Sequence, residues 1–105
     1  MSNQPALEEW NFQVLMLTQA LVGAVSANFR MVALLWDDGE WVLKFYLEES
    51  NEEDADEIED VICQYTAYQS SSLSCRSELI VGRERLPGLS DVGRVVYRRR
   101  ECFDI

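Results

Sequence analysis

The sequence predicts an α+β fold: one domain over residues 1–105, in the order helix-strand-strand-helix-strand-strand, with two helices packed on one face of a four-stranded sheet. Three observations carry this. Apolar residues recur at helical spacing in two stretches, 5–27 and 50–69. Two β-rich runs, Phe29–Trp36 and Trp41–Glu48, flank a four-residue polar turn. The chain has 105 residues, 48% of them hydrophobic, which is enough for one modest core.

The first helix is expected over 5–27. Pro5 suits a first turn, and Glu8 and Glu9 lie near the positive end of the helix dipole. Leu7, Trp10, Val14, Leu17, Leu21 and Val25 form one apolar stripe. Phe12, Leu15, Met16 and Val22 fall outside it, so a second face stays partly exposed and suggests a weak homodimer. A hairpin follows, with Asp37-Asp38-Gly39-Glu40 as its turn and Gly39 able to take a positive φ. In its second strand Trp41, Leu43, Phe45 and Leu47 share one face. Val42, Lys44, Tyr46 and Glu48 share the other, which suits a sheet covered on one side. The first strand is apolar on both faces apart from Arg30, so it belongs inside the sheet or has its outer face covered.

Ser50-Asn51-Glu52-Glu53 matches a capping box with Ser50 as cap, opening a helix to about Gln69. Ala55, Ile58, Val61, Ile62 and Tyr65 form its buried stripe, and Glu53, Asp56, Glu57 and Asp60 point the other way. Ser70-Ser71-Ser72 reads as a loop, Ser74–Val81 as a third strand, Gly82–Gly93 as an irregular connection and Arg94–Arg99 as an edge strand. Strand order is not readable from the sequence.

Charge is the strongest functional signal. From Asp37 to Asp60 there are twelve carboxylates and one cation, Lys44: a local charge of −11 in 24 residues, against −10 for the whole chain. Such a field repels nucleic acid and attracts a cationic partner. A pI of about 4.3 argues in the same direction. The region Arg76–Arg100 has the opposite balance, seven arginines against three acids, some expected to pair with the protein's own carboxylates. Arg98-Arg99-Arg100 is too short a run, in too acidic a chain, to read as a nucleic-acid patch.

Several chemistries lack their residues. The chain has no histidine, hence no usual general base, zinc ligand or Ser-His or Cys-His pair. Three cysteines, Cys63, Cys75 and Cys102, stand at wide spacing with no CxxC, unlike a disulfide framework. Cys63 lies beside the second stripe and reads as core. Asp54-Ala55-Asp56 fails as a calcium loop, because the sixth and twelfth positions are Glu59 and Tyr65 rather than Gly and Glu. The glycines have no phosphate-loop spacing. No cofactor, metal site or catalytic residue is expected, and the protein reads as a non-enzyme. Residues 1–10 hold two acids and no Lys or Arg, unlike a signal n-region, and Phe12–Val25 is too short to span a bilayer. A reduced, cytoplasmic setting with no membrane contact is expected.

The phrases "LVGAVSANFRMVAL", "DDGEWVLKFYLEE", "SNEEDADEIEDV" and "RLPGLSDVGRVVYRRRE", in that order, resemble small bacterial immunity proteins of contact-dependent growth inhibition systems and related polymorphic or colicin-type nuclease toxin systems. The resemblance spans most of 5–101 and implies a cytoplasmic antitoxin that binds and neutralises a cognate basic toxin domain. It carries over no contact residue. Charge and aromatic content nominate the partner-binding set: Asp37, Asp38, Glu40, Trp41, Tyr46, Glu48, Glu49, Glu53, Asp56, Glu57 and Asp60, with the aromatic residues as anchors. Two other readings stay open: an acidic nucleic-acid mimic inhibiting a DNA- or RNA-binding enzyme, and a metal-dependent enzyme using the acidic cluster.

Overall fold

The computed structural model describes residues 4–69, 73–88 and 93–101. The expected Ser70–Ser72 loop, residues 89–92 of the later connection, and Cys102 lie outside them. The elements are α1 (Leu7–Leu21), β1 (Phe29–Asp37), β2 (Glu40–Leu47), α2 (Glu52–Ala67), β3 (Cys75–Val81) and β4 (Arg94–Arg98), in the predicted order. The sheet order is β3-β2-β1-β4. β1 is antiparallel to β2 and β4, and β2 is parallel to β3, with α2 as the crossover between them.

The first helix stops six residues before the expected end. Val22 is extended (φ −60°, ψ 120°), Gly23 takes φ +82°, and the Ala24 N–H donates to the Leu21 carbonyl at 3.0 Å. These are the features of a type II turn, whose third position favours glycine. The buried face also differs from the expected stripe. Trp10, Leu17 and Leu21 face the core, but so do Gln13 and Ala20, while Leu7 is exposed. Burying Gln13 is tolerated because its Nε2 donates to Glu9 Oε2 (2.7 Å) and Gln69 Oε1 (2.8 Å), and its Oε1 accepts from Gln69 Nε2 (2.9 Å).

The hairpin closes through Asp37 opposite Glu40, leaving Asp38-Gly39 as a two-residue loop. Both residues have positive φ, +50° and +82°, as a type I′ turn requires. Trp41, Leu43, Phe45 and Leu47 join Phe29, Val32 and Leu34 beneath both helices in the main core. The opposite face is not left open as expected. Leu86 folds over Met31, Ala33 and Tyr46, with Leu35 and Val95 at the margin, to form a second small core. That cover explains why β1 is apolar on both faces. A bulge between Phe29 and Met31 admits Arg30, which is buried. At Gly93 (φ +74°) a Cβ would stand 2.5 Å from the Leu34 carbonyl oxygen, so only glycine lets the chain enter β4 this close to β1.

Candidate protein-binding surface

The second helix starts one residue later than its expected cap. Asn51, not Ser50, is the N-cap, and its side chain accepts from the Asp54 N–H at 3.1 Å. The buried face keeps Ile58, Val61 and Tyr65 of the expected stripe and adds Asp54, while Ile62 is half-buried and Ala55 is exposed. Cys63, expected in the core, is exposed as well. Asp54 is held by Asn28, whose Nδ2 donates to Asp54 Oδ2 at 2.9 Å and to the Glu49 carbonyl at 2.8 Å. The acid block therefore loses one member to an internal clamp.

The hairpin acids are spoken for too. Arg76 of β3 reaches Asp37 (2.8 Å), Glu40 (2.9 Å) and Glu78 (3.4 Å). These hydrogen bonds, first to Asp37 and then to Glu40, push the Arg76 pKa further above its ordinary value. At the other end of the sheet Arg83 pairs with Glu49 (2.6 Å) and Glu48 (3.5 Å), and Arg99 with Glu48 (2.8 Å). The Arg99 hydrogen bond holds the Glu48 carboxyl below its ordinary pKa. In the basic run, Arg98 donates to the Pro87 carbonyl (3.0 Å) and Arg99 to the Ala27 carbonyl (2.7 Å), so both fasten the chain to itself.

What remains is the outer face of α2. Glu53, Asp56, Glu57 and Asp60 are exposed and make no ion pair among the described residues, as is also true of Glu52, Glu59 and the hairpin's Asp38. The nominated set thus divides. Asp37 and Glu40 are tied to Arg76 on the sheet face away from the helices, and the α2 acids stand on the helix layer with open charge.

Both nominated aromatic anchors are interior. Trp41 is 3% exposed and lies edge-to-face with Trp10 and Trp36, each with ring centroids 5.0 Å away. Its place in the β2 alternation turns it under the helices. Tyr46 is 7% exposed, on the opposite face beneath Leu86. Neither is presented to a partner in this conformation. The sequence reading also missed Glu101. It accepts from Arg30 Nε (2.8 Å), Arg30 Nη2 (2.7 Å) and Arg99 Nη2 (2.9 Å), and these donors hold its pKa down at about 2. Arg30 had been visible as the lone charge in an apolar strand, but its partner lies 71 residues away.

A family model described as MafI2 immunity protein matches residues 12–101. This chain belongs to the MafI2 immunity protein family. The MafI2 match takes in most of α1, all four strands, the whole of α2 and Glu101. It shows an immunity-protein family, the broad class within which the sequence resemblance fell, and such a family implies a toxin as partner and an inhibitor's role. No curated protein matches the chain. Among the described residues of this MafI2 member, no group of three or more His, Cys, Asp or Glu is placed to hold a metal ion, and no helix is long and apolar enough to cross a membrane.

Proposed function

We propose that this MafI2-family protein neutralises a cognate toxin domain in the cytoplasm by laying the outer face of α2 against a basic surface of that toxin. The observation that carries the reading is the row Glu53, Asp56, Glu57 and Asp60, exposed on one helix face without counterions among the described residues. A basic cleft fits this face by charge. A nuclease toxin, which must bind a polyanion, supplies such a cleft, and an acidic helix seated in or beside it keeps the nucleic acid out. Complementary fields of this kind speed association and weaken with salt. Family membership supports the role of toxin inhibitor rather than enzyme. The hairpin contributes through Asp38. Asp37, Glu40, Glu48 and Glu49 join only where the toxin's cations compete with Arg76, Arg83 and Arg99 for them.

The test uses the basic domain encoded beside this gene, co-purified with the full chain, and follows association by surface plasmon resonance over a salt series. The double variant Glu57→Lys/Asp60→Lys should slow association about tenfold at low salt while its circular dichroism stays that of the parent. An unchanged rate, or a wild-type rate indifferent to salt, overturns docking through α2.

A further inference from the structure

The two edges of the sheet are built differently. The β4 edge is five residues long, with Arg94 and Arg98 exposed and a bulge where it meets β1. Those are the usual devices that keep an edge from recruiting another strand. The β3 edge has seven residues and ends in Leu79-Ile80-Val81, with Leu79 48% and Val81 45% exposed. No described strand lies beyond it.

Its hydrogen-bond phase is defined. The Trp41 N–H donates to the Ser74 carbonyl and the Gly82 N–H to the Leu47 carbonyl, so the even-numbered residues of β3 bond to β2. Cys75, Ser77, Leu79 and Val81 therefore turn their N–H and C=O groups to the free edge. We propose that a second copy of this chain pairs with that edge, antiparallel, about a twofold axis at Ser77. In this register the outward groups of Ser77 meet those of Ser77 in the other copy, and Cys75 meets Leu79, all in hydrogen-bonding phase. Arg76 stands opposite Glu78 on the face away from the helices, twice by symmetry. Leu79 and Val81 lie across from Cys75 and Leu73, covering the apolar surface.

Neighbouring registers lose this match. Centring on Glu78 sets carboxylate against carboxylate and Arg76 against Ile80, and centring on Arg76 sets guanidinium against guanidinium. Glu78 has charge to share, since Arg76 already serves Asp37 and Glu40 at shorter distances and Lys44 is 3.7 Å away. The self-complementary pattern, apolar to apolar and cation to anion in one register, singles out a second copy as the occupant. The self-contact thus belongs to β3 rather than to the exposed α1 face of Phe12, Leu15 and Val22. It is independent of the toxin reading, because the α2 acids lie on a different element.

Sedimentation equilibrium of the full chain over a wide concentration range is the first measurement. The wild type should dimerise at high micromolar concentration. Glu78→Arg, which faces Arg76 with arginine, should weaken the dimer about tenfold. Arg76→Glu alone should do the same, and an equimolar mixture of the two variants should restore association as a heterodimer. Hydrogen exchange on the wild type provides a readout that needs no variant: the Cys75, Ser77, Leu79 and Val81 amides should slow as concentration rises. A wild type monomeric throughout, or a dimer indifferent to Glu78→Arg, overturns the proposal. Edge amides that slow only when toxin is added overturn it too, and give the edge to the toxin.

Discussion

Glu101 shows how much one side chain can hold. Its side chain is 8% exposed and accepts three hydrogen bonds from two guanidinium groups, one of them on the buried Arg30. Removing one member of such a pair leaves the other charge buried and unmatched, which costs more than the pair itself contributes. Glu101→Gln should therefore lower stability by about 3 kcal/mol in urea unfolding. The acid limb should follow the same group. A carboxyl held at about 2 in the fold, against an ordinary 4.5, stabilises fully above 4.5 and loses that contribution as pH falls toward 2. The acid unfolding curve of wild type should show this loss, and that of Glu101→Gln should not. Tyr65 is the opposite case. Its hydroxyl is buried with no described hydrogen-bond partner, and desolvation pushes its pKa up. Tyr65→Phe removes the unsatisfied group while keeping the ring, and should raise stability by about 1 kcal/mol in the same assay.

Among the elements, the hairpin was the most legible because its signals are local. Asp38-Gly39 between alternating apolar runs specifies a turn type, and the turn type fixes the register of every later pair. Nothing stands within 4 Å of a Cβ built on Gly39, so Gly39→Ala meets only the cost of a positive φ. It should lose about 1 kcal/mol of stability with its near-ultraviolet spectrum intact. The helices were legible in kind, in position and in most of their inward faces: Trp10, Leu17 and Leu21 of α1 and Ile58, Val61 and Tyr65 of α2 are buried as expected. In α1 Leu7 is exposed, and Gln13 joins the inward face beside the half-buried Val14 because Gln69, just past the end of α2, satisfies its amide. The α2 cap is Asn51 rather than Ser50, and Asp54, four residues before Ile58 and bonded to Asn28, takes the inward place expected of Ala55.

Across the whole molecule, the charge count was readable but its distribution was not. Sequence spacing alone could not show that Arg76, Arg83 and Arg99 return to Asp37, Glu40, Glu48 and Glu49, since partners are set by strand order. Nor could it show that Leu86 covers the second sheet face and takes Tyr46 out of reach. The internal pairs leave a net charge of −10, gathered largely on α2. Exposed repulsion of this kind is screened by ions, whereas the buried Arg30–Glu101 pair is not. Raising sodium chloride from low to moderate concentration should thus increase the thermal midpoint by about 4 °C, the equivalent of roughly 1 kcal/mol. A fall in differential scanning fluorimetry would mean that the surface pairs outweigh the repulsion.

The strand order also dictates a timetable. β1 and β2 meet across a two-residue loop, but β4 must return to β1 past α2 and β3, and Glu101 must find Arg30 from 71 residues away. Synthesis of that span, at about 5–20 residues per second, is far slower than hairpin formation in about 1–10 μs. On the ribosome the hairpin and α2 can assemble while later residues are still being added, but the sheet stays one strand short until residue 101 has emerged. A copy cut short before β4 therefore leaves the β1 edge unpaired and the buried Arg30 guanidinium without its carboxylate partner Glu101, so the frame that holds α2 is unfinished.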